Sequence, residues 1–165
     1  MTGLDQIRES MTEYLRQAGL DALSAYPARQ RTRPHAPAAA VSIRGFEGGP
    51  AGFRDYLGER YNARQGRWEE LYGRRMRITF GIDLYAGAEG GEALQKAFDT
   101  LAQALQQGGP AGLKPLELSA GEMAWDSAAG LLKYPAEAVC EAYLYAVADE
   151  GGAFLDFIVR GERTQ

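Results

Sequence analysis

The chain has 165 residues, of which 45% are hydrophobic and 24% charged, as is usual for a folded globular domain with a buried core. It contains no apolar run long enough to span a bilayer, and its start does not resemble a secretory signal, so we expect synthesis in the cytoplasm. Its one cysteine, Cys140, allows no internal disulfide. A net charge of −4 argues against a dedicated nucleic-acid-binding protein.

Charged residues are divided unevenly along the chain. From Arg29 to Arg77, eleven arginines stand against five acidic residues, whereas from Ile78 to Gln165 five basic residues stand against thirteen acidic ones. A positive segment and a negative remainder favour head-to-tail contact between copies, because opposite patches attract and a heterologous contact can close into a ring. The alternative is that the arginines lie on a solvated loop.

The N-terminal half contains three regular patterns and one irregular segment. Apolar residues at helical spacing predict a helix over Gly3–Ala18, and strict alternation predicts strands over Ala39–Phe46 and Met76–Tyr85. Between the helix and the first strand, Tyr26–Pro37 has three prolines and three arginines, which is typical of an extended connector.

The C-terminal half predicts one helix followed by strands joined by short turns. The helix covers Leu94–Leu105 and ends at Gly108. Short links favour antiparallel pairing, and the small residues around Cys140 are expected to lie under a helix. The predicted strands are Leu116–Trp125, Leu131–Tyr134, Ala136–Val147 and Phe154–Arg160. This order predicts an α+β domain with a mixed or antiparallel sheet and two helices packed on one face.

Residues 48–75 form a long excursion between strands that is rich in arginine, glycine and aromatic residues. Interior glycines disfavour a helix, so a long hairpin or an extended loop, with its tip near Asn62–Gly66, fits better. Arginine with tyrosine and tryptophan is typical both of protein interfaces and of single-strand nucleic-acid platforms. The acidic residues interleaved there would repel phosphate, which favours a protein partner. A third interpretation is that Trp68 and Tyr72 extend the core.

The sequence offers few residues suited to catalysis. His35, the one histidine, lies in the proline-rich connector, and Cys140 alternates inward on a predicted strand. Histidine and cysteine are too few for a zinc site. The pair Gly90-Gly91 before the second helix favours an ordinary N-terminal turn over an anion site. We therefore predict no enzymatic activity, no cofactor and no metal.

Three stretches of the chain resemble the tail terminator, or tail completion, proteins of long-tailed bacteriophages and of phage-tail-like bacteriocins. The likeness lies in the order of elements and the placement of turns, and it includes no catalytic motif. The stretches are LYGRRMRITFGIDLYA (Leu71–Ala86), the helix with its GGPAGL end (Gly91–Leu113), and the closing LSAGEMAWDSAAGLLKYPAEAVCEAYLYA with FLDFIVRG.

The resemblance implies that residues 1–165 form one domain, with 48–75 as an extended loop or hairpin, and that six copies assemble as a ring on the tail tube. The ring would end polymerisation of tube and sheath and present a surface to the head-side connector, first in the host cytoplasm and then in the tail particle. It implies no membrane and no specific nucleic acid as partner. The alternatives are a head–tail joining or neck protein of similar fold and, in another class, a small single-strand nucleic-acid-binding module.

The resemblance also implies that the excursion makes subunit contacts or lines the central channel. Its arginines would meet the acidic body of the next subunit, and its larger aromatic residues would act as apolar anchors. The candidate interface residues are Arg60, Arg64, Arg67, Trp68, Tyr72, Arg74 and Arg75.

Overall fold

A computed structural model describes residues 3–24, 37–50, 56–148 and 154–159, and within these ranges it contains two helices and one nine-stranded sheet. The predicted α+β class is confirmed. The connector before Pro37, with His35, lies outside the described residues. The elements are α1 (Gly3–Gln17), β1 (Asp21–Leu23), β2 (Ala38–Pro50), β3 (Tyr56–Asn62), β4 (Arg67–Ala86), α2 (Gly91–Gln106), β5 (Lys114–Ala120), β6 (Ala124–Asp126), β7 (Leu131–Tyr134), β8 (Ala136–Ala148) and β9 (Phe154–Val159).

Strand β4 is the centre of the sheet and pairs with four other strands. On one side, β3 pairs with its first part and β2 with the rest; on the other, β8 and then β7 pair with it, and all four are antiparallel. Strands β5 and β9 pair with β8, β6 pairs with β7, and β1 lies parallel to β2. With 20 residues, β4 extends about 65 Å at the usual rise per residue.

Several strands differ from their predicted bounds. Strand β4 begins at Arg67 instead of Met76. The alternation of apolar residues does not extend to the N-terminal side of Met76, but the backbone pairing with β3 and β8 does. The predicted strand Leu116–Trp125 is two strands, since Gly121 leaves the β5–β8 ladder and donates its N–H to the Pro135 carbonyl at 2.9 Å. Strand β1 was not predicted, because three residues are too few to show a period.

Both helices pack on the same face of the sheet, as predicted. Strand β8 contributes small residues, which leave room for the helices, and burial raises the pKa of its Cys140 thiol to about 12. The thiol is therefore neutral and packs as an apolar side chain. The central members of this core are Met11, Leu15, Ile78, Phe80, Ile82, Leu84, Leu94, Leu101, Ala138 and Cys140.

A tyrosine links the two helices. The Tyr14 hydroxyl lies 2.6 Å from the Ala104 carbonyl oxygen and 3.1 Å from that of Gly108, at the end of α2, where helical carbonyls lack partners within the helix. In the part of the chain that the structure describes, neither helix is long and apolar enough to cross a membrane.

The opposite face of the sheet carries a network of charged side chains. Arg44 donates to Asp83 at 2.6 Å and to Glu137 at 3.0 Å, and Lys133 lies 3.5 Å from Asp83. Gly81 makes room for this arrangement: a Cβ added there would collide with the Arg44 guanidinium and lie 2.7 Å from the Ser42 hydroxyl. The network therefore depends on a residue that has no side chain.

We expect G81A to destabilise the protein by about 1–3 kcal/mol, because the added methyl group displaces Arg44 from the Asp83 carboxylate. Urea denaturation of the full chain measures this. Gly87 is the control, since a Cβ there meets nothing within 4 Å and G87A should change stability by less than about 0.5 kcal/mol. Equal effects of the two substitutions would contradict the steric role of Gly81.

Candidate interaction surface

Residues 56–75 contain a β-hairpin formed by β3 and the first part of β4, and its tip confirms the prediction near Asn62–Gly66. The Asn62 side-chain oxygen accepts hydrogen bonds from the backbone N–H groups of Arg64 and Gln65 at 3.0 and 3.2 Å. Gly66 donates its N–H to the Asn62 carbonyl at 2.8 Å and adopts φ +65°, a conformation that favours glycine. The tip is thus encoded locally.

One face of the hairpin is built around a buried carboxylate. Glu69 is 5% exposed and accepts hydrogen bonds from the Asn62 amide at 2.7 Å and from Arg60 Nε at 3.1 Å. The Asn62 hydrogen bond, then the Arg60 hydrogen bond and the charges of Arg60 and Arg67, lower the pKa of Glu69 despite its desolvation. Two arginines predicted to contact another subunit therefore stabilise a carboxylate of their own hairpin.

The other side of the hairpin is an exposed surface, which we call the aromatic face. It consists of three cross-strand pairs, and its residues are Tyr61 with Trp68, Glu59 with Glu70, and Tyr56 with Tyr72. Both aromatic pairs meet edge to face, with ring centroids 5.6 and 5.5 Å apart. Trp68 is 65% exposed and Tyr61 55%. The interpretation of Trp68 as an extension of the core is therefore wrong, while Tyr72 is half-buried.

Strand alternation makes the aromatic face a continuation of the helix-covered face. On β4, residues two apart point to the same side, so Trp68, Glu70 and Tyr72 share a face with the core residues that begin at Met76. The helix-packed core does not include the hairpin residues. One face of β4 is therefore buried in its second part and open in its first part.

A pair of like charges occupies the middle of the aromatic face. Glu59 and Glu70 are directly opposite each other, a position in which like charges destabilise a sheet. The Tyr72 hydroxyl donates to Glu70 at 2.7 Å, and this bond raises the pKa of Tyr72. Within the described residues, neither carboxylate forms an ion pair with an arginine or lysine. The aromatic face is therefore negatively charged.

The structure divides the predicted interface residues among three places. The residues on the side of the aromatic face are Trp68, Tyr72 and Arg74, and those on the opposite side are Arg60, Arg67 and Arg75. Arg64 is exposed in the tip. Arg75 Nε lies 3.8 Å from a Glu141 carboxylate oxygen. Their role in subunit contacts stays a prediction.

Four members of the aromatic face lie outside the predicted set of interface residues: Tyr56, Glu59, Tyr61 and Glu70. The signal for them is their position relative to the tip. Once Asn62–Gly66 is identified as a turn, counting outward pairs Tyr61 with Trp68 and Glu59 with Glu70. Only the bulge between Tyr56 and Gly58 interrupts this count.

Compared with known protein families and with curated proteins, the chain matches no family and no individual protein. In the described ranges, no three histidine, cysteine, aspartate or glutamate residues are grouped closely enough to hold a metal ion. Within the described residues, the hairpin places the exposed rings of Trp68 and Tyr61 side by side on one surface.

We expect the hairpin to lose stability in acid because the pKa of Glu69 is lowered in the folded state. The contribution of the ionised carboxylate, through the Asn62 hydrogen bond and then through Arg60 and Arg67, is complete above the ordinary glutamate pKa of about 4.3 and is lost as the pH falls through the lowered folded value. In urea denaturation the advantage of the wild type over E69Q should therefore shrink as the pH falls. E70Q, the matched change on the aromatic face, is the control: the wild type should have no stability advantage over E70Q that shrinks in acid. A wild-type advantage over E69Q that is the same at all pH values would contradict this role.

Proposed function

We propose that this protein is a structural subunit that forms a ring, of six copies, at the head-proximal end of a phage-type tail tube. The ring ends tube polymerisation and presents a surface to the head-side connector; sheath subunits are a further partner. The observation that supports a self-assembling subunit best is the aromatic face, an exposed surface on a hairpin that extends the sheet beyond its helices.

The aromatic face has the composition of a protein contact. Trp68 and Tyr61 leave most of their surface in water, although large aromatic rings contribute most when they are covered. Both rings are held by cross-strand pairing, so little side-chain freedom remains to be lost on association. The resemblance to tail terminator proteins and the uneven charge along the chain support a copy of the same protein as neighbour.

The charge on this face favours a protein partner over single-stranded nucleic acid. A nucleic-acid backbone laid across the tyrosine and tryptophan rings would pass Glu59 and Glu70, whose charges repel phosphate. A head–tail joining protein of similar fold would use the same kind of surface. It differs from a tail terminator in its position on the particle, so binding to the tube end separates the two.

We expect native mass spectrometry of the full chain to show a sixfold species, and electron microscopy to show it at one end of tubes formed by the tail tube protein of the same particle. W68A should reduce the fraction of rings at least tenfold with little change in stability, since Trp68 is 65% exposed. W125A is the matched control, because Trp125 is also exposed, at 53%, and lies on β6 at the other end of β4.

Rings that are unaffected by W68A would remove the aromatic face from the contact. Tubes that grow without limit in the presence of the protein, together with a chain that stays monomeric at the tube end, would contradict the proposed function itself.

A further inference from the structure

We propose that the aromatic face binds the basic stretch 29–33 of a second copy of this chain. The arginine side chains of that stretch bind between the two aromatic pairs and neutralise Glu59 and Glu70 of the first copy. This inference rests on the proposed function, since it assigns the two surfaces of the contact between neighbouring subunits in the ring.

The aromatic face has the chemistry that recognises a guanidinium group. Glu59 and Glu70 are cross-strand neighbours, with Cβ atoms about 5 Å apart in this geometry, so one planar cation can reach both carboxylates. Tyr61 with Trp68 on one side and Tyr56 with Tyr72 on the other offer ring surfaces on which arginine stacks. A bound arginine turns a repulsive pair into two attractive ones.

The stretch 29–33 is the part of the sequence best suited to supply that cation. Residues 26–37 contain Arg29, Arg31 and Arg33 and no acidic residue. The three arginines are two residues apart, the spacing at which side chains of an extended segment share a face. By contrast, Arg44, Arg60 and Arg77 each pair with a carboxylate of their own chain.

The topology excludes docking of this stretch on the aromatic face of its own chain. Strand β2 begins opposite Tyr85, which is 15 residues from Glu70 along β4, or about 50 Å. Arg31 is six residues from Pro37 and seven from Ser24, so its backbone reaches at most about 25 Å from either end. Whatever conformation residues 25–36 adopt, the occupant must come from another molecule.

This arrangement is heterologous, because each copy offers a receiving face on the hairpin and carries its basic stretch in a different segment of the chain, between β1 and β2. Such contacts repeat from copy to copy and close into a ring when the rotation between neighbours allows it. Ring formation then follows from two surfaces of opposite charge on each copy. The charges are opposite to those expected from the sequence: the hairpin supplies the negative surface of the contact, and the neighbouring subunit supplies the positive one.

The first test titrates a synthetic peptide of residues 26–37 into the full-length W125F protein, in which Trp68 is the one remaining tryptophan. We expect a saturable change in Trp68 fluorescence that weakens with added salt. E59Q/E70Q, or a peptide with its three arginines changed to glutamine, should weaken binding at least tenfold. E59Q/E70Q also relieves the like-charge pair, so the loss of binding should come without a loss of stability. No saturable change, or equal binding by E59Q/E70Q, would overturn the inference.

The second test uses native mass spectrometry of the full chain. R29Q/R31Q/R33Q should lose the ring, whereas K96Q/K114Q, which removes exposed positive charge elsewhere, should keep it. Combining E59R/E70R with R29E/R31E/R33E in one chain reverses both surfaces and should restore the ring. Rings that persist in R29Q/R31Q/R33Q would overturn this contact and leave the proposed function standing. If the protein binds the peptide but never caps a tube, the contact would stand and the proposed function would be contradicted.

Discussion

The backbone pairing of β4 is the constraint on which the rest of this structure depends. Its 20 residues form ladders with β3 and β2 on one side and with β8 and β7 on the other, so the strand joins the hairpin to the helix-covered sheet without a break. Side chains alternate along the strand. The face that α1 and α2 cover from Met76 onward therefore continues, uncovered, as the aromatic face.

Folding redistributes charge in a way that counting along the chain does not reveal. Between Tyr56 and Gly73 there are three arginines and three glutamates, so the hairpin has no net charge. Arg60 and Arg67 lie on the side of Glu69, whereas Glu59 and Glu70 lie among the aromatic rings. The hairpin belongs to the positive segment of the sequence but presents an acidic surface, so it suits a basic partner and not an acidic one.

One face of the hairpin is stabilised by contacts within the chain, whereas the other is suited to contact with a partner. On one side, the Glu69 carboxylate is satisfied within the chain by an amide donor and a guanidinium donor. The aromatic face combines exposed rings with a repulsive carboxylate pair, a combination that stabilises the isolated subunit little. A partner that supplies cations would relieve the repulsion between the carboxylates, and covering the rings would remove their apolar surface from water. In the proposed ring the neighbouring subunit provides this complement.

Much of the local structure could be predicted from the sequence because short-range patterns encode it. The period of α1 and α2, the strand Leu131–Tyr134 and the turn at Asn62–Gly66 follow from residues within one or two turns of each other. The α+β class follows from the order of these elements. Inward-facing Cys140 was likewise predictable from alternation alone.

The extent of β4, the parallel pairing of β1 and the division between β5 and β6 could not be predicted, because ladders with distant strands decide them. The same holds for the candidate site. From the sequence, residues 48–75 could be predicted as an extended loop or hairpin rich in arginine and aromatic residues, with its tip near Asn62–Gly66. The tertiary structure decided which side chains share a face, because cross-strand register places Glu59 beside Glu70 and turns Arg60 toward Glu69.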